Sequence, residues 1–158
     1  MSCLFCEYKK NPADLIIRTK YWIIILAYNQ QYLGRSIIFL NRHVASLSDL
    51  TVDEWKDFES LAKIMELALK KSFNATMFNW TCLTNDAYKV KPYNAHLHWH
   101  FRPRYDHEVE FASKIFRDKN FGHHYERNDT RDTDESMQRQ IVLEIQKNLD
   151  LIEIHPGK

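Results

Sequence analysis

Ala95-His96-Leu97-His98-Trp99-His100-Phe101-Arg102-Pro103-Arg104-Tyr105 alternates three histidines with three large apolar residues. A β-strand turns successive side chains to opposite faces, so His96, His98 and His100 share one face and Leu97, Trp99 and Phe101 the other. Neighbouring histidines on that face are spaced by about 6.6 Å. A face of three imidazoles is too polar to bury without a purpose. A merely solvated strand face is the plainer reading, but such faces usually mix Thr, Lys and Glu. Proline has no N–H for a ladder, so the strand is expected to end near Pro103 or to lie at an edge.

Two chemistries suit such a face. One is metal binding by neutral imidazole. The other is nucleophilic and acid–base catalysis, in which one imidazole attacks and a neighbour handles the proton. A single ion held by all three histidines is disfavoured, because the outer pair on a regular strand stands about 13 Å apart.

The chain has 158 residues, enough for one domain with a sizeable core. Apolar residues make up 44% and charged residues 27%, as in an ordinary globular protein. The net charge of +1 gives no electrostatic case for nucleic-acid binding. The longest apolar run, Trp22 to Tyr28, is strand-sized, and the start carries no basic-then-apolar leader. Three cysteines argue against a secreted disulfide scaffold, so the expectation is a cytoplasmic protein without membrane association. Three glycines leave little room for a glycine-rich phosphate loop.

Cys3-Leu4-Phe5-Cys6 is a Cys-x-x-Cys pair. Redox use would want a thioredoxin-like βαβ pattern, which is missing; as half of a zinc site the pair needs two more ligands, which a pair of histidines would supply. Leu15–Thr19, Tyr21–Ala27 and Arg35–Leu40 read as strands, with Ile23-Ile24-Ile25 suited to a buried central one. Thr51-Val52-Asp53-Glu54 has capping-box spacing and opens a helix whose Trp55, Phe58, Leu61, Ala62, Met65 and Leu69 make a core stripe, closed by Lys70 and Lys71. Residues 75–84 read as a strand, with Cys82 a small buried apolar residue rather than a reactive thiol. Residues 106–120 suggest a short helix, and 122–130 a loop whose His123 and His124 are solvated. A last helix starts at Asp132–Glu135, carries Met137, Ile141, Ile145 and Leu149 with Val142 and Ile152 beside them, and ends by Pro156-Gly157.

The histidine stretch resembles the signature of the histidine triad (HIT) nucleotide-binding superfamily, His-φ-His-φ-His-φ-φ with φ apolar. Six of the seven positions match, and the last holds Arg102. The resemblance runs from about Cys3 to Tyr105. It implies an α+β fold: an antiparallel sheet of about five strands with a long helix packed on it, here with an extra C-terminal helical tail. Residues 1–105 would form the nucleotide-binding unit and 106–158 an extension of the same domain.

By that resemblance His98 is the nucleophile toward the α-phosphorus of an AMP-containing nucleotide, forming a nucleotidyl-histidine intermediate, and His100 contacts the phosphate or the leaving group. Cys3, Cys6, His43 and His96 match the four ligands of a closed, structural zinc site in members with an N-terminal Cys-x-x-Cys. His43 alone would otherwise be a surface histidine at a strand end. Asn29 matches a position near the ribose hydroxyls and Asn85 one near the phosphate, with Asn79 a weaker competitor. The resemblance also implies a homodimer. One departure bears on substrate: where many relatives have a glycine-rich loop, residues 87–95 have Lys89, Lys91 and no glycine. Dinucleoside polyphosphates, nucleoside phosphoramidates and nucleotide sugars stay open as substrates, and so does a catalytically silent nucleotide sensor.

Overall fold

In the computed structural model, which describes residues 3–10, 12–125 and 131–151, one antiparallel sheet carries His98 and His100, while His96, expected on the same strand, lies just before it. Its strands are β1 (Leu15–Arg18), β2 (Trp22–Leu26), β3 (Ser36–Leu40), β4 (Met77–Cys82) and β5 (His98–Arg104), in the spatial order β1-β2-β3-β5-β4. A short helix α1 (Leu4–Tyr8) precedes the sheet, α2 (Val52–Phe73) joins β3 to β4, and α3 (Glu135–Asp150) follows it. This is the expected α+β architecture. No helix among the described residues is long and apolar enough to cross a membrane.

The two faces of the sheet are covered differently. Trp22, Ile24, Leu26, Ile38, Leu40, Leu97 and Phe101 meet Leu61, Met65, Ala68 and Leu69 of α2, with Met137, Ile141 and Ile145 of α3 in the same core. Ile23, Ile25 and Phe39 point the other way and are covered by Phe5 and Tyr8 of α1. The β-branched run Ile23–Ile25 is therefore buried on both sides, as a central strand should be. Ile37 pairs with His100 and Phe39 with His98, so the histidines stand on the α1 face.

The start of α2 is held by a complete capping box. The Glu54 N–H donates to Thr51 Oγ1 at 3.3 Å, and the Thr51 N–H donates to Glu54 Oε2 at 2.8 Å. The buried Glu54 carboxylate also accepts from Arg42 Nε at 2.6 Å and Nη2 at 2.8 Å. That Arg42 fork, more than the burial opposing it, brings the Glu54 carboxyl down to about 2 from an ordinary 4.5. A carboxyl depressed in the folded state stabilises fully above its unfolded value and loses that contribution as pH falls through the folded value. The stability gap between wild type and Glu54→Gln is thus full above pH 4.5 and closes toward pH 2. Allowing for screening of the half-exposed Arg42, the gap is roughly 2 kcal/mol. Denaturant titrations of both proteins from pH 7 to 2.5 measure it.

β5 ends one residue beyond Pro103 while lying inside the sheet. Backbone parity explains how. Arg104 accepts from Thr76 on the β4 side, so Pro103 faces the β3 side. There the β3 ladder has already ended at Ser36 opposite Phe101, so no hydrogen bond is lost. Gly34 fills the space instead, with φ +83°; a Cβ on it would stand 2.3 Å from Leu69 Cδ1.

The short helix expected within 106–120 is instead a hairpin, β6 (Val109–Phe111) and β7 (Lys114–Phe116). Ala112 and Ser113, at φ 48° and 61°, make the two-residue turn that matches strand twist. Val109 and Phe116 are buried, and Phe111 meets Phe73 edge-on at 5.2 Å, so burial at alternate positions outweighs helix propensity. The last helix starts where expected, with Asp134 Oδ1 accepting from the Met137 N–H at 2.8 Å. Ile152, the Pro156-Gly157 end of that helix and residues 126–130 of the expected loop lie outside the described residues.

Candidate active site

β5 and the residues just before it position two adjoining clusters. The first is at the N-terminal end of the strand. His96 is buried, and its Nε2 lies 2.7 Å from the Leu40 carbonyl oxygen. A carbonyl only accepts, so Nε2 carries the proton and Nδ1 keeps its lone pair. Nδ1 faces Cys3 Sγ at 3.2 Å and Cys6 Sγ at 3.6 Å, and His43 Nδ1 lies 3.5 Å from Cys6 Sγ. Burial holds the His96 imidazole down to about 4, so it is neutral at pH 7. α1 supplies both thiols, Cys3 as its N-cap residue and Cys6 one turn later.

The four ligand atoms lie within 4.8 Å of one another. A tetrahedral zinc with bonds of about 2.3 Å to sulfur and about 2.05 Å to nitrogen sets S···N edges of about 3.5 Å. The contacts above match those edges, and the Leu40 carbonyl aims the His96 ring in the way outer-shell acceptors aim metal-bound imidazoles. The residues therefore fit a zinc ion.

The second cluster is a cleft of about 290 Å³ whose lining includes His98, His100 and Asn85. His98 Nδ1 lies 2.8 Å from the His96 carbonyl oxygen, so it is the donor. That leaves Nε2 as the lone-pair nitrogen. The Phe5 ring packs against the His98 ring at 4.8 Å. His100 meets His98 edge-on at 4.9 Å between ring centroids. Burial first, then His98, then the positive Arg102 and Arg35 side chains, hold His100 down to about 4, against an opposing effect of Asp86. His100 is thus neutral at pH 7, and its buried Nδ1 has no hydrogen-bond partner among the described residues. A lone-pair imidazole, a neutral imidazole and two guanidiniums around one cleft can attack a phosphorus and hold its oxygens.

The other sequence candidates take these places. Asn29 does not line the cleft; its Oδ1 accepts from the Gln31 N–H at 2.8 Å and the Arg131 N–H at 3.4 Å. Gln31, two residues on, does line it. Asn79 Oδ1 accepts from Arg104 Nη1 at 3.0 Å, away from the cleft. Lys89 pairs with Asp86 at 2.5 Å and Lys91 lies over the Tyr93 ring, so neither lines the cleft. Cys82 packs against the core, and burial pushes its thiol up. His123 and His124 are exposed.

Sequence reasoning missed Arg35, Arg102 and Tyr125 in the cleft lining. Arg102 left a signal, as the one charged residue at an apolar position of the motif. Arg35 read only as a strand start, and Tyr125 only as part of a loop. Arg104, almost fully buried, ties that loop down: it pairs with Asp118 at 2.5 Å and donates to the carbonyls of Asn120 and His123 at 2.5 and 3.1 Å. Asn29 and Asp132 form an isolated β-bridge on the far side of the loop.

The profile of a family described as the HIT domain matches residues 8–107. The chain belongs to the HIT domain family. No curated protein matches the sequence. Among solved structures, a hypothetical histidine triad nucleotide-binding protein from Sulfolobus tokodaii superposes with a TM-score of 0.73 at 14% identity, over 99% of this chain and 97% of that one. A Zn-bound histidine triad family protein from Mycobacterium smegmatis gives 0.63 at 18% identity, over 96% and 98%. The diadenosine triphosphate hydrolase of Plasmodium falciparum gives 0.61 at 18% identity, over 89% and 79%. At these identities the likeness is one of fold, and it extends past the HIT profile into α3.

Proposed function

We propose that this HIT protein hydrolyses or transfers the nucleotidyl group of an AMP-containing nucleotide, with His98 as the nucleophile. The observation that supports it most is the His98 Nδ1 hydrogen bond to the His96 carbonyl, on a ring that lines the cleft. It fixes the tautomer of the neutral ring, so Nε2 is the nitrogen whose lone pair is aimed for attack.

As the bond from Nε2 to the α-phosphorus forms, the bond from phosphorus to the leaving group breaks and its electrons leave with that group. Water or another acceptor then attacks the same phosphorus and restores the imidazole. His100, neutral and edge-on to His98, contacts a phosphate oxygen or the leaving atom from the cleft lining. Asn85 contacts the phosphate from the cleft rim. Asn29 acts through the turn it staples, which presents Gln31.

Cys3, Cys6, His43 and His96 hold one zinc ion in the same proposal. Four protein ligands leave no open position, so the ion ties the N-terminus to the catalytic strand and takes no part in the reaction. The same proposal includes a homodimer, with β4 at the sheet edge available for pairing.

Incubation with diadenosine polyphosphates and with adenosine phosphoramidate, followed by rapid acid or base quench, tests the reaction. AMP release and a transient mass increase of one adenylyl group per chain are expected. Nucleotide binding without either result would replace this reading by the silent sensor.

A further inference from the structure

Arg35 lies just before β3, and its backbone is fully used. Its N–H donates to the Tyr32 carbonyl at 2.9 Å, and its carbonyl accepts from the Ala27 N–H and from Gln30 Nε2, both at 2.9 Å. Its side chain is not. The guanidinium lines the cleft beside His98 and His100, its Nε is buried without a hydrogen-bond partner, and no carboxylate among the described residues pairs with it. A charged group withdrawn from water is costly unless something pairs with it. The space it borders is the cleft.

Arg102 stands two residues beyond His100, on the same strand face. It is buried, its Nη1 donates to Thr81 Oγ1 at 3.0 Å, and its guanidinium stacks on the Tyr125 ring at 3.9 Å. The one carboxylate among the described lining residues, Asp86, is 88% exposed and paired with Lys89. Both guanidiniums therefore border the cleft, and Arg35 is the one without a carboxylate partner among the described residues. An α-phosphate bonded both to the ribose and to a leaving group carries only one negative charge. The second guanidinium matches a second phosphoryl group.

We propose that Arg35 determines substrate specificity by holding a phosphoryl group on the leaving-group side of the α-phosphate. The cleft then takes nucleotides whose leaving group is itself a phosphate, a phosphoanhydride, in preference to those that release an amine or an alcohol. This rests on the nucleotide reading above.

The test is binding of AMP and of ADP to the zinc-loaded full chain in magnesium-free buffer, for wild type, Arg35→Gln and Arg35→Lys. The expected wild-type preference for ADP is about tenfold or more, the scale of one charge-assisted phosphate contact. It collapses to within about twofold in Arg35→Gln and is partly kept by Arg35→Lys, which preserves the charge but not the fork. The ratio of kcat/KM for diadenosine triphosphate over adenosine phosphoramidate falls in parallel. The Arg35 side chain makes no hydrogen bond to another described residue, so the variants keep the fold, which thermal melts verify. Equal binding of AMP and ADP by wild type, or a preference that survives Arg35→Gln, overturns the assignment and leaves the nucleotide reading standing. Failure of both nucleotides to bind overturns the two together.

Discussion

His98→Asn abolishes AMP release, lowering kcat by about four orders of magnitude or more, as loss of a covalent nucleophile does. The variant still binds nucleotide and keeps its melting temperature within a few degrees. The geometry explains why asparagine is the informative choice. His98 has two jobs on two nitrogens. Nδ1 donates to the His96 carbonyl, and Nε2 keeps the lone pair. An asparagine amide can still donate toward that carbonyl but has no nucleophilic lone pair. It therefore separates attack from local structure, which alanine does not. The mass shift of one adenylyl group should vanish with the turnover. A His98→Asn protein that still releases AMP at the wild-type rate would exclude covalent catalysis at this residue.

Cys6→Ala is the second large effect. The purified wild type should hold about one zinc per chain, and the variant much less than one. Cys6 Sγ contacts both His43 and His96, so its loss opens the ligand set at its centre while the more buried Cys3 stays in place. A ligand that binds only the folded state at about 100 times its Kd stabilises by about 2.7 kcal/mol. For a chain of this length that corresponds to a fall in melting temperature of roughly 5–11 °C. The same fall should follow removal of zinc from wild type by a chelator, and chelator should then do little to the variant. A wild type that melts at one temperature with and without metal would end the structural-zinc assignment. Because His96 supplies the carbonyl that fixes His98, kcat should fall in Cys6→Ala more than KM rises.

Much of this architecture could be read from residue order. The alternation of His96–Phe101 fixed the strand and its two faces, because side-chain direction in a strand depends on parity alone. The spacing of Thr51 and Glu54 marked the start of α2, because a capping box is a local arrangement. The cleft was less legible. Arg35 and Tyr125 stand 90 residues apart in sequence and meet only because the Arg104–Asp118 pair and the Asn29–Asp132 bridge return the chain to the sheet. Nothing local announces a non-local pairing. The hairpin at 109–116 was misread for a related reason: its turn is made by Ala112 and Ser113 rather than by Asn-Gly or Asp-Gly, so burial and not turn chemistry decides it.

Tyr125 belongs to the stretch beyond residue 107, where the family profile stops, yet it forms one wall of the cleft. In the proposed reading, part of the substrate fit thereby comes from a length of polypeptide separate from the strand that carries His98 and His100, one that returns to the cleft from beyond the family profile. A change in that length can retune what enters without disturbing the imidazoles. Two proteins with identical triads can then have unrelated diets.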